Sequence, residues 1–151
     1  MKTIPYIRAS LIAFVICWPS ISIAKNLFVA TNGDDTVAYE QNSIDNPWKT
    51  IAKGIYNLKA GDSLHIRGGM YVQDYPLRVR SDYDNRTYGG VPNLDMNAES
   101  GTEASPVTIK AYENENVIID LKNTRTFIHL HNKFFWTFEK LNLINGGKVF
   151  V

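Results

Sequence analysis

The last third of the chain restricts its fold most. Six short apolar runs follow one another there, separated by a few turn-forming residues and by no helical pattern. The runs are Val107-Thr108-Ile109-Lys110-Ala111, Val117-Ile118-Ile119-Asp120, Phe127-Ile128-His129-Leu130-His131, Phe134 to Phe138, Leu141-Asn142-Leu143 and Val149-Phe150-Val151. β-Branched and aromatic residues at this spacing suit an all-β solenoid, sandwich or barrel. Two details favour the solenoid. Phe134, Trp136 and Phe138 share one face of an extended strand, whereas Leu141 and Leu143 have the opposite parity, so a corner near Glu139-Lys140 is needed to keep all five inside. The run that starts at Phe127 also recurs at Val149, 22 positions later (149 − 127), within the repeat range of coiled architectures.

Upstream, Leu27 to Ala30 reads as a first strand closed by the turn-forming cluster Thr31-Asn32-Gly33-Asp34-Asp35. Asn46-Pro47 offers an N-cap and a proline at the first helical position. Trp48, Ile51, Ala52, Ile55 and Leu58 then recur at helical spacing, which predicts one amphipathic helix ending near Gly61, with Gly54 as an internal cost. Leu64 and Ile66 alternate with His65 and Arg67 up to Gly68-Gly69, which stops the strand, and Leu77 and Val79 alternate with Arg78 and Arg80. Residues 81–104 are rich in Asp, Asn, Gly and Ser and read as a long surface excursion.

The chain's 151 residues amount to one domain. Lys2 and Arg8, the apolar run Leu11 to Trp18 and the small-residue site Ser22-Ile23-Ala24 make residues 1–24 a secretory signal peptide and leave 25–151 as the mature part. The apolar run is too short to span a bilayer, so no membrane anchor is expected after cleavage. Ile16 precedes Cys17 where lipoprotein processing needs a small residue, so Cys17 reads as part of the leader. The mature part keeps 14 of 16 Lys+Arg and all 15 Asp+Glu, a balance that offers nothing to nucleic acid. It has no cysteine, so the fold rests on packing alone, in a protein secreted or held in a bacterial periplasm. Asn85-Arg86-Thr87 is a glycosylation sequon that matters only in a eukaryotic source.

Three stretches resemble the opening of right-handed parallel β-helix proteins of the pectin-lyase-like superfamily, which includes family-nine pectate lyases and the chondroitinase-B-like and alginate lyases. They are Leu27 to Asp34, Asn46-Pro47-Trp48-Lys49-Thr50-Ile51, and Ala60-Gly61-Asp62-Ser63-Leu64-His65-Ile66-Arg67-Gly68-Gly69-Met70-Tyr71. Ser105 to Tyr112 and Val117 to Asp120 look like a first coil, and Phe135 to Gly146 is similar to a repeating rung. The resemblance implies N-terminal rungs with one capping α-helix. It also implies a parent protein active on polysaccharide, a lyase of uronic-acid polymers in which a Lys or Arg base works beside Ca²⁺. The same opening precedes non-catalytic proteins, so a module for glycan binding or surface adhesion is the alternative. Family members run on through further rungs, whereas this chain halts at Val151 inside an apolar strand. That implies a truncated frame or fragment, inactive by itself and prone to pair through its open end. No cofactor is expected in the chain itself.

The resemblance transfers no catalytic residue, because the family's catalytic residues lie on central rungs. His129 and His131, two apart, project to one face of a strand, where they could hold a metal, wall a substrate groove or stand as ordinary exposed positions. No third ligand is evident, so no metal is assigned. Lys133, Lys140 and Arg125 add cations nearby, with solvated surface charge as their default role. Lys133 joins the two histidines as a substrate-binding candidate. Among the tyrosines, Tyr71, Tyr75, Tyr83 and Tyr88 lie in polar surroundings suited to stacking on sugar, with Tyr71 and Tyr75 foremost, while Trp48 and Trp136 fall on apolar stripes and read as core. Asp34 and Asp35 lack the spacing of an EF-hand loop and read as turn formers. An acidic glycan is the expected partner.

Overall fold

The structure is a computed structural model that describes residues 23–73, 76–80, 98–124 and 126–147, with residues 78–80 described in their backbone only. The strands are β1 (Asn26–Val29), β2 (Ser63–Ile66), β3 (Gly69–Val72), β4 (Leu77–Arg80), β5 (Val107–Ala111), β6 (Val117–Asp120), β7 (Ile128–His131), β8 (Trp136–Glu139) and β9 (Asn142–Ile144). One α-helix, α1 (Ile51–Tyr56), and a 3-10 turn at Tyr39–Gln41 interrupt them. The strands form three sheets, β1-β2-β5-β8, β3-β6-β9 and β4-β7, and every described pairing is parallel. From β2 onward consecutive strands pass to the first, second and third sheet in turn and then begin again. The described residues are therefore mostly parallel β-structure with almost no helix, consistent with a parallel β-helix. Facing antiparallel sheets, as in a sandwich, are absent among the described residues.

Alternation decides which side chains fill the coil. Leu27, Leu64 and Ile109 occupy one register row of the first sheet and are each fully buried, with Phe138 continuing the row at 38% exposure. Val29, Ile66 and Ala111 form the next inward row. Burial of one such aliphatic side chain stabilises by about 1.5–3 kcal/mol, so the stacked rows are the main cohesive element.

The corners are built from the residues between these rows. Lys140 takes φ 54° between β8 and β9, which turns the chain where the parity of Phe138 and Leu143 reverses. Phe135 also has positive φ, at 56°. That break separates Phe134, which is 63% exposed, from the face shared by Trp136 and Phe138, so Phe134 is not the inward residue that alternation predicts. At the β2–β3 corner Gly68-Gly69 does not end the β-structure, because Gly69 opens β3. Its φ of 144° and a Thr31 methyl lying 2.8 Å from where a Cβ would stand leave room for glycine alone. Glu115 spans successive turns here, accepting from Arg67 Nε at 3.0 Å and from the Gly68 amide. One rung further, Asn142 Nδ2 donates to Asn116 Oδ1 at 2.9 Å.

The helix is shorter than its periodicity predicts. Trp48 donates its amide to Phe28 O and accepts at its carbonyl from Ala30 N, so residues 47 and 48 are committed to β1 and cannot start a helix. Thr50 is the N-cap instead, with Oγ1 accepting from Lys53 N at 3.1 Å. Trp48, Ile51, Ala52, Ile55 and Leu58 are nevertheless all buried, as the stripe requires. α1 packs on β1 and β2 so closely that a Cβ at Gly54 would stand 2.7 Å from Leu64 Cδ2 and 3.0 Å from Val29 Cγ2. The proposed leader residues 1–22, most of the excursion (81–97) and Val149-Phe150-Val151 lie outside the described residues.

Candidate functional site

β7 places its residues by simple alternation. Ile128 and Leu130 are half-buried against the core, while His129 and His131 are exposed on the opposite face. The neighbouring strand β4 runs parallel with Leu77 beside Ile128, Arg78 beside His129, Val79 beside Leu130 and Arg80 beside His131. Leu77 is fully buried, which fixes the inward parity of β4 as well. Neighbouring strands stand about 4.8 Å apart, and alternate residues along a strand about 6.6 Å apart. In backbone register, Arg78 and Arg80 of β4 thus stand beside the exposed His129 and His131 of β7. Arg78 and Arg80 were not singled out by sequence reasoning. Their alternation with Leu77 and Val79 was visible, but their partners lie some fifty positions along the chain.

The other candidates occupy different places. Lys133 is half-buried, and its Nζ donates to Ala98 O at 2.6 Å, so it ties the end of the long excursion to the chain after β7. Tyr71 was expected in a polar setting but is only 7% exposed. Its parity in β3 aligns it with inward Ile119, and its hydroxyl donates to Arg67 O at 2.8 Å. Burial pushes its phenol up to about 12. It is a core residue of the corner and is not presented to a sugar. Tyr75, Tyr83, Tyr88 and Arg125 lie outside the described residues. Lys140 forms the corner already described.

Asp34 and Asp35 spend their carboxylates on the chain. Asp34 Oδ1 accepts from Thr36 N and Oγ1, both at 2.8 Å, and this bonding holds its carboxyl below the usual range. Asp35 Oδ1 accepts from Lys49 N and Thr50 N, and its Oδ2 from Thr50 Oγ1, which braces the helix start. Trp48 Nε1 donates to Val37 O at 2.8 Å inside the core, and half-buried Trp136 donates to Glu99 O at 3.1 Å.

Among the described residues, no group of three or more His, Cys, Asp or Glu comes together to hold a metal ion. A cleft of about 360 Å³ lies at the last described turn, lined by Phe127, Ile128, Phe138, Lys140, Leu141 and Leu143. Its floor is the coil interior and its character is apolar, unlike the outward face of β4–β7. No helix among the described residues is long and apolar enough to cross a membrane.

The chain is similar to a pectate lyase. That protein, Pectate lyase PEL9 of Emericella nidulans, is 27% identical over 148 residues, a match that covers 88% of this chain and 31% of the fungal protein. A second relative, the uncharacterized protein YwoF of Bacillus subtilis, is 30% identical over 93 residues, covering 62% of this chain and 15% of that protein. The chain therefore spans about a third or less of the curated relatives it matches. No protein-family profile matches it, and no solved structure does. The likeness to a pectate lyase and the parallel sheets agree with the resemblance to pectin-lyase-like β-helix proteins.

Proposed function

We propose that this chain forms the N-terminal cap and first rungs of an exported, right-handed parallel β-helix protein that acts on acidic polysaccharide, with the outward face of β4–β7 as part of its glycan-binding surface. The observation that carries this reading is the in-register set Arg78, His129, Arg80 and His131, in a chain similar over most of its length to a pectate lyase. Uronic-acid polymers present a carboxylate on every sugar. A guanidinium meets a carboxylate with two parallel N–H bonds, and an imidazole can add a single donor. A second row along the strands, about 6.6 Å away, would engage another group of the same glycan.

A lyase of this kind would eliminate at a uronate: a base would take the proton beside the carboxylate, and a cation on that carboxylate would supply stabilisation of the developing charge. In this reading β4 and β7 bind and orient the polymer. α1, laid over β1 and β2, closes the start of the coil, where an uncovered end would expose apolar interior and unpaired backbone. A leader removed on export accounts for residues 1–24.

Incubating the complete gene product, and this chain alone, with polygalacturonate, alginate and chondroitin in Ca²⁺ tests the reading. New absorbance from unsaturated sugar ends is expected with the complete product, and glycan binding without turnover with this chain. Binding without turnover in both would favour the adhesion module. Absence of binding in both would remove the proposal.

A further inference from the structure

The carboxylate of Asp62 is fully buried, in the loop leading into β2. Its Oδ1 accepts from the Lys25 main-chain N at 2.9 Å, and its Oδ2 accepts from the Tyr39 hydroxyl at 2.7 Å and from Lys59 N at 2.9 Å. All three donors are uncharged in the continuous chain, and no Lys, Arg or His nitrogen forms an ion pair with this carboxylate among the described residues. The nearby cations are engaged elsewhere: Lys25 Nζ pairs with Glu40, and Lys59 Nζ lies 4.0 Å over the Tyr39 ring. A buried carboxylate without a cationic partner is a costly arrangement unless its charge is answered.

The residue whose nitrogen contacts it is the one that the leader boundary picks out. On the leader reading proposed above, on which this inference rests, Ser22-Ile23-Ala24 sets cleavage before Lys25, and Lys25 is held on the first coil, with its O accepting from Ser63 N at 2.8 Å. Ile23, two residues ahead of it, is 78% exposed.

We propose that hydrolysis of the Ala24–Lys25 peptide creates an α-ammonium group that seats on the buried carboxylate of Asp62 and locks the mature N-terminus into the first coil. The hydrolysis adds one water across the bond. Ala24 leaves with a carboxylate, and Lys25 keeps an amine that takes a proton at neutral pH. The neutral N–H bond to Asp62 Oδ1 becomes a charge-assisted one between the same two residues. In the leader-bearing chain the same contact is a neutral amide bond, so that form lacks the ionic contact.

Other titratable or charged groups face this point: Glu40 and Tyr39 from the 3-10 turn, Lys59 from the loop before β2, Lys25's own Nζ, and Glu99, whose Oε2 accepts from Ala60 N. Contact with Asp62 outweighs them because it is direct. The α-amine, ordinarily near 7.7–8.0, is raised in the fold. The stabilisation is thus complete below about pH 7.7 and disappears as pH rises through the folded value.

Intact mass and N-terminal sequencing of the secreted protein should show Lys25 as first residue. NMR titration of its ¹³C-labelled α-amine should then give an upward shift of about one unit or more. Asp62→Asn should return the amine to its ordinary range. A secreted form that keeps Ala24 should lose the pH-dependent part of the melting temperature between pH 7 and 10. A mature N-terminus elsewhere, or a wild-type α-amine titrating at or below about 8, overturns the proposal even if Asp62→Asn does not fold.

Discussion

Gly33→Ala puts a methyl carbon 2.3 Å from Trp48 O, 2.5 Å from Trp48 C and 2.6 Å from Pro47 O. All three are main-chain atoms, so no side-chain rotation relieves the clash, and the 47–48 segment must retreat by about 1 Å to reach ordinary contact. The bonds strained by that retreat are Ala30 N to Trp48 O at 2.8 Å and Asp34 N to Pro47 O at 3.0 Å, which hold the stretch before α1 onto β1. Losing a partnered main-chain group costs about 1–3 kcal/mol, and alanine recovers about 0.4–1 kcal/mol by restricting the unfolded chain. For two weakened bonds the net loss is about 1–5 kcal/mol. Gly146→Ala is the control, since its added methyl meets nothing closer than Leu121 Cδ1 at 3.5 Å, and it should be neutral or slightly stabilising. Urea denaturation of the mature chain, followed by tryptophan fluorescence, measures both. A Gly33→Ala protein within about 0.5 kcal/mol of the parent would refute the close approach and the packing argument built on it.

Tyr71→Phe should cost about 1 kcal/mol through the lost bond to Arg67 O and leave glycan affinity unchanged, whereas His129→Ala with His131→Ala should lower affinity for polygalacturonate severalfold at unaltered melting temperature; the opposite pattern would exchange their roles. On acidification the melting temperature should fall in two stages. Burial, then the Lys110 charge, holds His65 below its ordinary 6.5, so its contribution is complete above that value and is lost as pH falls through the folded one; His65→Asn should erase this first stage. Asp120, held at about 2 by the Lys122 amide, the Lys122 ammonium and Asn145, keeps its contribution above about 3.8 and loses it as pH falls through about 2, so Asp120→Asn should flatten the second stage.

The local half of this structure was legible because it depends on period-two alternation. Leu64 and Ile66, Ile109, Ile119 and the histidine pair all stand on the faces their parity assigns, and the corner at Glu139-Lys140 is where the parity of the leucines reverses. The misreadings share one cause, which is that contacts between turns override local signals. Gly68-Gly69 looks like a stop, yet in a coil a corner glycine also starts the next strand, and with β3 unrecognised the inward parity of Tyr71 was hidden. Asn46-Pro47 has good helix-start chemistry, but Trp48 is claimed by β1. Arg78 and His129 become neighbours only through a register set across the long excursion, which no window along the chain can display.

Titration of the isotopically labelled mature chain with oligogalacturonates, read as backbone amide shifts, tests the glycan-binding assignment most directly. The account predicts saturable, salt-sensitive shifts gathered at residues 77–80 and 128–131, with little change for neutral glucan oligomers. Shifts confined to the β1-β2-β5-β8 sheet, or the same response to both glycans, would contradict it.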